Sequence, residues 1–260
     1  NDGPLQAKLT AEGTIPEEIF DKACVHSVEE ALSVAERVGY PVMLKASEGG
    51  GGKGIRMNQN ADDLRANFPM VANEVPGSPI FIMQLVTGAR HLEVQVIGDE
   101  HGNAIALNGR DCSTQRRFQK IFEEGPPTKP TGGIAVKSIF DDMQNRAKDL
   151  VRSIGYVGAG TVEYLYDSKT DEYSFLELNP RLQVEHPVTE GLTDVNIPAT
   201  QLQVAMGIPL SNIPQIRRLY KCSDIENWHS EPLDLTAATY ELPQDRHVLA
   251  ARITAENPDE

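Results

Sequence analysis

Phe175-Leu-Glu-Leu-Asn-Pro-Arg-Leu-Gln-Val-Glu-His-Pro187 is the stretch on which the reading of this chain turns. It sets Glu177, Asn179, Arg181, Gln183 and Glu185 at every second position of an otherwise apolar run. Extended backbone places residues i, i+2 and i+4 on one face, so the spacing predicts that these groups converge on one small volume. Gathering them adds nothing to stability, because buried polar groups cost free energy unless each finds a partner. A site that holds a metal ion and an anion needs such a set.

The segment just before this stretch supports that reading. Thr161–Tyr166 and Tyr173–Leu178 flank a polar turn, Asp167-Ser-Lys-Thr-Asp-Glu172, and so predict a hairpin. A hairpin symmetric about residue 170 sets Glu163 opposite Glu177. Like charges opposed across strands are destabilising, unless a divalent cation joins them. Carboxylate oxygens suit Mg²⁺, with Asn179 as a third oxygen donor. A shifted register, with one glutamate in solvent, is the alternative. Arg181 offers a planar fork to a small oxyanion, and Glu185 beside that cation is a candidate general base. His186 reads as a structural turn residue before Pro187.

Towards the N-terminus, residues 1–20 show little periodicity. Ser27 and Glu30 form a capping box ahead of an amphipathic helix ended by Gly39. Residues 40–45 read as a buried strand ending in Lys45. The loop Ala46-Ser-Glu-Gly-Gly-Gly-Gly-Lys-Gly-Ile-Arg56 follows, with Gly49, Gly50, Gly51 and Gly52 in a row. Such a run is either a plain flexible linker or a phosphate-binding loop whose backbone N–H groups approach the anion closely. Lys45, Lys53 and Arg56 around it favour phosphate. The spacing fits neither a P-loop nor a dinucleotide fingerprint. A helix from Asn60 and Asp63 and a strand over 80–86 complete a small α/β subdomain. Met83, Gln84 and Val86 at that strand's end are candidates for an adenine wall.

The larger remainder begins with a hairpin from His91–Ile97 to Ala104–Leu107. Asp111–Lys120 is a second polar stretch, where Arg116, Arg117 and Lys120 read as a solvated face or, preferably, as an anion contact. A proline-rich loop leads to an amphipathic helix through Phe140 and Val151, ended by Gly155. A further helix lies between Asn196 and Gly207. Residues 221–245 look irregular, and a last strand over 246–254 carries Arg252.

A chain of 260 residues with net charge −14 lacks the clustered cations that nucleic acid requires. No apolar run nears the roughly 20 residues of a membrane-spanning helix. Cys24, Cys112 and Cys222 form neither a disulfide framework nor a metal spacing, which favours a reducing compartment. The first residue is not Met, no signal peptide is visible, and the last strand ends where no compact domain is expected to end; the chain reads as an excerpt.

Three motifs together resemble the biotin carboxylase component of biotin-dependent carboxylases: Lys45-Ala-Ser-Glu-Gly-Gly-Gly-Gly-Lys-Gly54, Arg110-Asp-Cys-Ser-Thr-Gln-Arg-Arg117 and Glu177-Leu-Asn-Pro-Arg-Leu-Gln-Val-Glu-His-Pro187. Pro76–Phe81 and Asn196–Gly207 are most similar to the eukaryotic multidomain acetyl-CoA carboxylases. The resemblance implies an α+β ATP-grasp fold: a small α/β glycine-loop lid subdomain over residues 1–86, and a larger antiparallel-sheet subdomain with flanking helices over 87–260. It implies MgATP-dependent (or Mn²⁺-dependent) activation of bicarbonate to carboxyphosphate and carboxylation of biotin on a separate carrier domain, the first step of malonyl-CoA formation for fatty acid synthesis.

Carried over by motif, Lys45, Gly49, Gly50, Gly51 and Gly52 contact phosphates, and Met83, Gln84, Val86 and His91 frame the nucleotide. Gln115 and Lys120 contact nucleotide and bicarbonate, and Glu163, Glu177 and Asn179 hold the metal. Arg181, Gln183 and Val184 meet bicarbonate, with Arg181 catalytic, Glu185 the base, and Arg252 facing the biotin enolate. Phe118 departs from the family's usual histidine. The family's preceding subdomain, with its ATP-contacting lysine, and its longer C-terminal part are not in the sequence, so the fragment alone is expected to be inactive. Implied partners are carrier and carboxyltransferase domains of the same polypeptide and a second copy in a homodimer, in the cytoplasm or a plastid. The alternatives are a carboxylase of another acceptor (propionyl-CoA, methylcrotonyl-CoA or pyruvate) and a non-catalytic nucleotide-binding fragment.

Overall fold

The computed structural model describes residues 16–49, 53–116, 119–129, 132–225, 227, 229, 231–243 and 245–253. The chain forms two compact units, one running to Thr87 and the other starting at Gly88.

The first unit contains α1 (Glu17–Ala23), α2 (Val28–Val38), β1 (Val42–Ala46), β2 (Ile55–Asn58), α3 (Ala61–Glu74) and β3 (Ile80–Gln84). Its three strands are antiparallel in the order β2-β1-β3. Val42, Leu44 and Ala46 alternate inward and pack with Ala31, Ala35, Leu64, Phe68 and Val71 of the helices. Ser27 caps α2 by accepting the Glu30 N–H at 3.1 Å. Glu30 reaches back one residue further than a capping box requires, to the His26 N–H at 2.7 Å. Two elements have no signal in the periodicity: α1 begins within the aperiodic residues 1–20, and β2 takes in Ile55 and Arg56 at the end of the glycine loop. Gly54 closes that loop at φ +70°, where an added Cβ would lie 2.9 Å from the side chains of Ala46 and Val75.

The second unit contains β4 (Arg90–Gly98), β5 (Ala104–Arg116), β6 (Gln119–Gly125), α4 (Lys137–Ser153), β7 (Gly158–Asp167), β8 (Glu172–Asn179), α5 (His186–Thr193), α6 (Ile197–Ala205), α7 (Pro214–Leu219) and β9 (Val248–Ala251). The strands make one antiparallel sheet in the order β8-β7-β4-β5-β6-β9. Leu92, Val94 and Val96 pack with Phe140, Met143, Ala147 and Val151 of α4 on one face. The opposite face is divided. Ile97, Ile105 and Leu107 pack under α6 and α7 with Ile197, Val204 and Ile216, while Glu93, Gln95, Arg110, Thr161 and Glu163 make a buried polar half. No helix among the described residues is long and apolar enough to cross a membrane.

Two bulges decide which residues join that polar half. Between β4 and β5 the register runs Val96↔Ala106, then Val94↔Gly109, with Asn108 at φ 58°. An uninterrupted ladder would set Arg110 opposite Leu92, on the α4 face; the extra residue sets it opposite Glu93. Between β7 and β8, Tyr164 pairs with Phe175 but Glu163 with Glu177, so Leu176 is the extra residue. Without it, Leu176 would face Glu163.

Candidate active site

The expected hairpin register holds at the site: Glu163 lies opposite Glu177, and Thr161 opposite Asn179. The Asn179 amide nitrogen stands between the two carboxylates, 3.0 Å from Glu163 Oε1 and 3.3 Å from Glu177 Oε1. The carboxylate oxygens of adjacent strands are hard donors that fit Mg²⁺ or Mn²⁺, and Asn179 Oδ1 would join them with the amide turned over.

Beyond Asn179 the strand ends, and this corrects the reading that Glu177 to Glu185 share one face by alternation. Pro180 cannot donate to a ladder, and the chain turns into α5, whose first residue is His186. Gln183 and Glu185 are nevertheless buried at the site, brought there by the turn. Arg181 and Val184 are exposed, and the Arg181 guanidinium donates to the Leu182 carbonyl at 3.3 Å. Arg181 therefore does not flank Glu185; Lys120 and Arg252 do. His186 Nδ1 lies 2.7 Å from the Gln183 carbonyl, in keeping with a structural role.

Lys120 is the hub. Its ammonium donates to Glu93 Oε2 at 2.6 Å, Glu163 Oε1 at 3.0 Å and Glu185 Oε1 at 2.6 Å, which uses its three protons. Of the two readings of Arg116, Arg117 and Lys120, the solvated face does not hold for Lys120, which is enclosed by carboxylates at the site; Arg117 lies outside the described residues. Burial opposes the Lys120 charge, but the carboxylates of Glu93, Glu163 and Glu185 outweigh that and raise its pKa. Burial likewise favours a neutral Glu163, yet His91, at 2.9 Å, and Lys120 outweigh it and bring that carboxyl down to about 2. Glu185 is held on its other oxygen by Arg252 at 2.8 Å, and Arg252 also donates to Glu123 at 2.6 Å. Arg252 follows β9, which pairs with β6 and positions it. Gln115 is exposed and donates to His91 Nδ1 at 3.1 Å and to the Cys112 carbonyl at 2.9 Å.

Three residues beneath the hub were missed as site members. Glu93 and Arg110 are fully buried and paired, and Cys112 lies against them. Burial and the neighbouring Glu93 push the Cys112 thiol up, which keeps it protonated. Glu93 and Gln95 alternating with Leu92, Val94 and Val96 were the available signal, since such a strand is polar on one face whether or not that face meets solvent.

In the first unit, Lys45 and Met83 lie on the half-exposed face of the sheet, where Lys45 pairs with Phe81 and Met83 with Met43. Gln84 points to the other face, and Val86 lies beyond β3. Arg56, read as a phosphate neighbour, is instead bound to Glu74, which also accepts the Gly54 N–H at 2.8 Å. Gly49 is described; Gly50, Gly51, Gly52 and Phe118 lie outside the described residues.

Residues 8–213 match the family described as carbamoyl-phosphate synthase L chain, ATP binding domain. Acetyl-CoA carboxylase of Dictyostelium discoideum is 58% identical over 246 residues, and acetyl-CoA carboxylase 1 of Arabidopsis thaliana 52% over 255 residues. Each alignment covers 95% of this chain and 10% or 11% of the relative, so the chain spans about a tenth of the length of these relatives. Among solved structures, the biotin carboxylase of Campylobacter jejuni in complex with β-γ-ATP superposes with TM-score 0.67 at 36% identity, covering 75% of this chain and 45% of that one. The biotin carboxylase domain of a Hydrogenobacter thermophilus 2-oxoglutarate carboxylase, with MgADP and bicarbonate, gives 0.64 at 36%, covering 74% and 44%.

Proposed function

The chain belongs to the carbamoyl-phosphate synthase L chain ATP-binding family, and from its likeness to acetyl-CoA carboxylases and to a solved biotin carboxylase we infer that it is the biotin carboxylase part of an acetyl-CoA carboxylase. Its fold is the ATP-grasp fold. The reaction assigned to it activates bicarbonate with MgATP and carboxylates biotin. The observation that carries the reading is the network of Glu185, Lys120, Glu163, Asn179 and Glu177, a candidate carboxylate base joined through one lysine to a metal-type donor set.

In this reading the bicarbonate O–H proton passes to the Glu185 carboxylate. The carbonate oxygen then attacks the γ-phosphorus of ATP, the bond to the ADP oxygen breaks, and carboxyphosphate forms. Lys120 and Arg252 hold the Glu185 carboxylate in place. Gln183, Val184 and Arg181 are assigned to bicarbonate, and Lys45, the glycine loop, Met83, Gln84, Val86, His91 and Gln115 to the nucleotide, all by resemblance. Glu163, Glu177 and Asn179 would hold Mg²⁺ or Mn²⁺, which when bound supplies positive charge to phosphate oxygens. The carboxyl carbon then bonds to N1′ of biotin as its bond to the phosphate oxygen breaks; the N1′ proton passes to the released phosphate, and Arg252 stabilises the biotin enolate left by its removal.

The carrier and carboxyltransferase domains are proposed to be parts of the same polypeptide, a homodimer is proposed as the assembly, and the cytosol as its location. The length and names of the relatives support the first of these.

The test is ADP release that requires bicarbonate and rises with free biotin, assayed on the protein at its natural length. Glu185→Gln should lower kcat by roughly 10²–10⁴-fold, the usual contribution of a general base, with KM for ATP unchanged. No bicarbonate-dependent ADP release in the parent, or an unimpaired Glu185→Gln enzyme, would overturn the reading.

A further inference from the structure

Arg110 is a fully buried arginine, 0% exposed, in the middle of β5. A guanidinium carries five N–H donors and no acceptor, and here five acceptors meet it. Its Nε donates to Glu93 Oε1. Its Nη1 donates to Gln95 Oε1 at 2.9 Å and Thr189 Oγ1 at 2.7 Å. Its Nη2 donates to Thr161 Oγ1 at 3.4 Å and Gln183 Oε1 at 3.5 Å. The acceptors come from β4, β7, α5 and the turn before α5, so one planar group ties together the elements that carry the site.

Two of these contacts lead to the reacting groups. Glu93 is held by Arg110 on Oε1 and passes its other oxygen to Lys120, which in turn holds Glu163 and Glu185. Gln183 presents its oxygen to Arg110 and its amide nitrogen to Glu163 Oε1 at 3.2 Å. Because an arginine only donates, Gln183 cannot turn its NH₂ towards it without leaving two donors facing each other in a buried space. The amide therefore has one allowed orientation, with its N–H groups on the side of the carboxylates and of the bicarbonate assigned to that place.

Resting on the functional reading above, we propose that Arg110 is a positioning residue for bicarbonate: it fixes the amide orientation of Gln183 and, through Glu93, the place of Lys120. It touches neither substrate nor metal. Lysine cannot replace it, since a point ammonium with three donors cannot serve acceptors on four elements at once.

The experiment uses the natural-length enzyme and separates KM for bicarbonate from KM for ATP. Arg110→Lys should raise KM for bicarbonate by about tenfold or more, as for a lost hydrogen bond that leaves its partner unsatisfied, and leave KM for ATP within about twofold. Thr189→Val keeps charge and volume, removes one acceptor, and serves if Arg110→Lys does not fold. It should raise KM for bicarbonate by about threefold or more, again without moving KM for ATP. A folded variant with an unchanged bicarbonate KM, or with both KM values shifted alike, in an active parent background would overturn this inference alone. A parent enzyme without bicarbonate-dependent ADP release would overturn the functional reading and this inference with it.

Discussion

Glu163 shows how one residue records its surroundings. Its side chain is 6% exposed, and a buried carboxyl alone would prefer to be neutral. His91 and Lys120 reverse that preference and lower its pKa from 4.5 to about 2. A carboxyl whose folded pKa is depressed contributes stability above its unfolded pKa and loses it as pH falls through the folded one. The window is therefore from about pH 4.5 down to about 2, with a contribution on the order of 3 kcal/mol. Urea unfolding across that window should show a steep fall in stability for the parent and a shallower one for Glu163→Gln. Parallel slopes would contradict the assignment. The residue pattern announced Glu163 as a metal ligand candidate, but only the contacts reveal that it is also an anchor for Lys120.

At the scale of elements, the site depends on a bulge that no periodicity announced. Asn108 sits at φ 58°, and Gly109 follows it with its Cα so close to β4 that an added Cβ would lie 1.9 Å from the Glu93 carbonyl oxygen. Asn tolerates the left-handed region and a β-branched residue does not. Asn108→Gly should therefore be nearly neutral, whereas Asn108→Val should cost about 1–3 kcal/mol in urea unfolding. Equal stabilities for the two variants would show that the bulge is not held by this residue. The same element explains why Arg110 escaped the sequence reading. Counted along a regular ladder it belongs to the face of Leu92, where a charge has no place; the bulge turns it to Glu93. The bulge at Leu176 acts in the same way on the other side of the sheet and makes the Glu163–Glu177 opposition real. The expected symmetry about residue 170 was right at the site although the turn end of the hairpin follows a different register.

For the whole molecule, the division near residue 87 matters because each unit has its own core. Leu44 is fully buried in the first, among Ala31, Leu64 and Val71, and the site of the second unit rests on a separate set of side chains. Leu44→Ala should destabilise the first unit by about 2–5 kcal/mol. Native-state hydrogen exchange should then show lost protection in β1 and β3, with β4 and β7 protected as before. Equal loss in both units would mean that they unfold as one.

The amino-acid pattern by itself determined the small α/β subdomain, the main helices and hairpins, the opposition of Glu163 and Glu177, and the types of group gathered near residue 180, while the α+β ATP-grasp class came from the family resemblance. These follow from short-range physics: side-chain periodicity, turn residues and the chemistry a residue type can perform. Only the tertiary structure decided which of those groups meet. Arg181 turns outward, Lys120 lies among three carboxylates, and Arg252, 67 residues beyond Glu185 and just past β9, arrives on Glu185. Arg110 and Glu93 are enclosed beneath them. The physical reason is that a pairing between distant strands, and a bulge that changes the face of every residue beyond it, depend on long-range packing that no local pattern records.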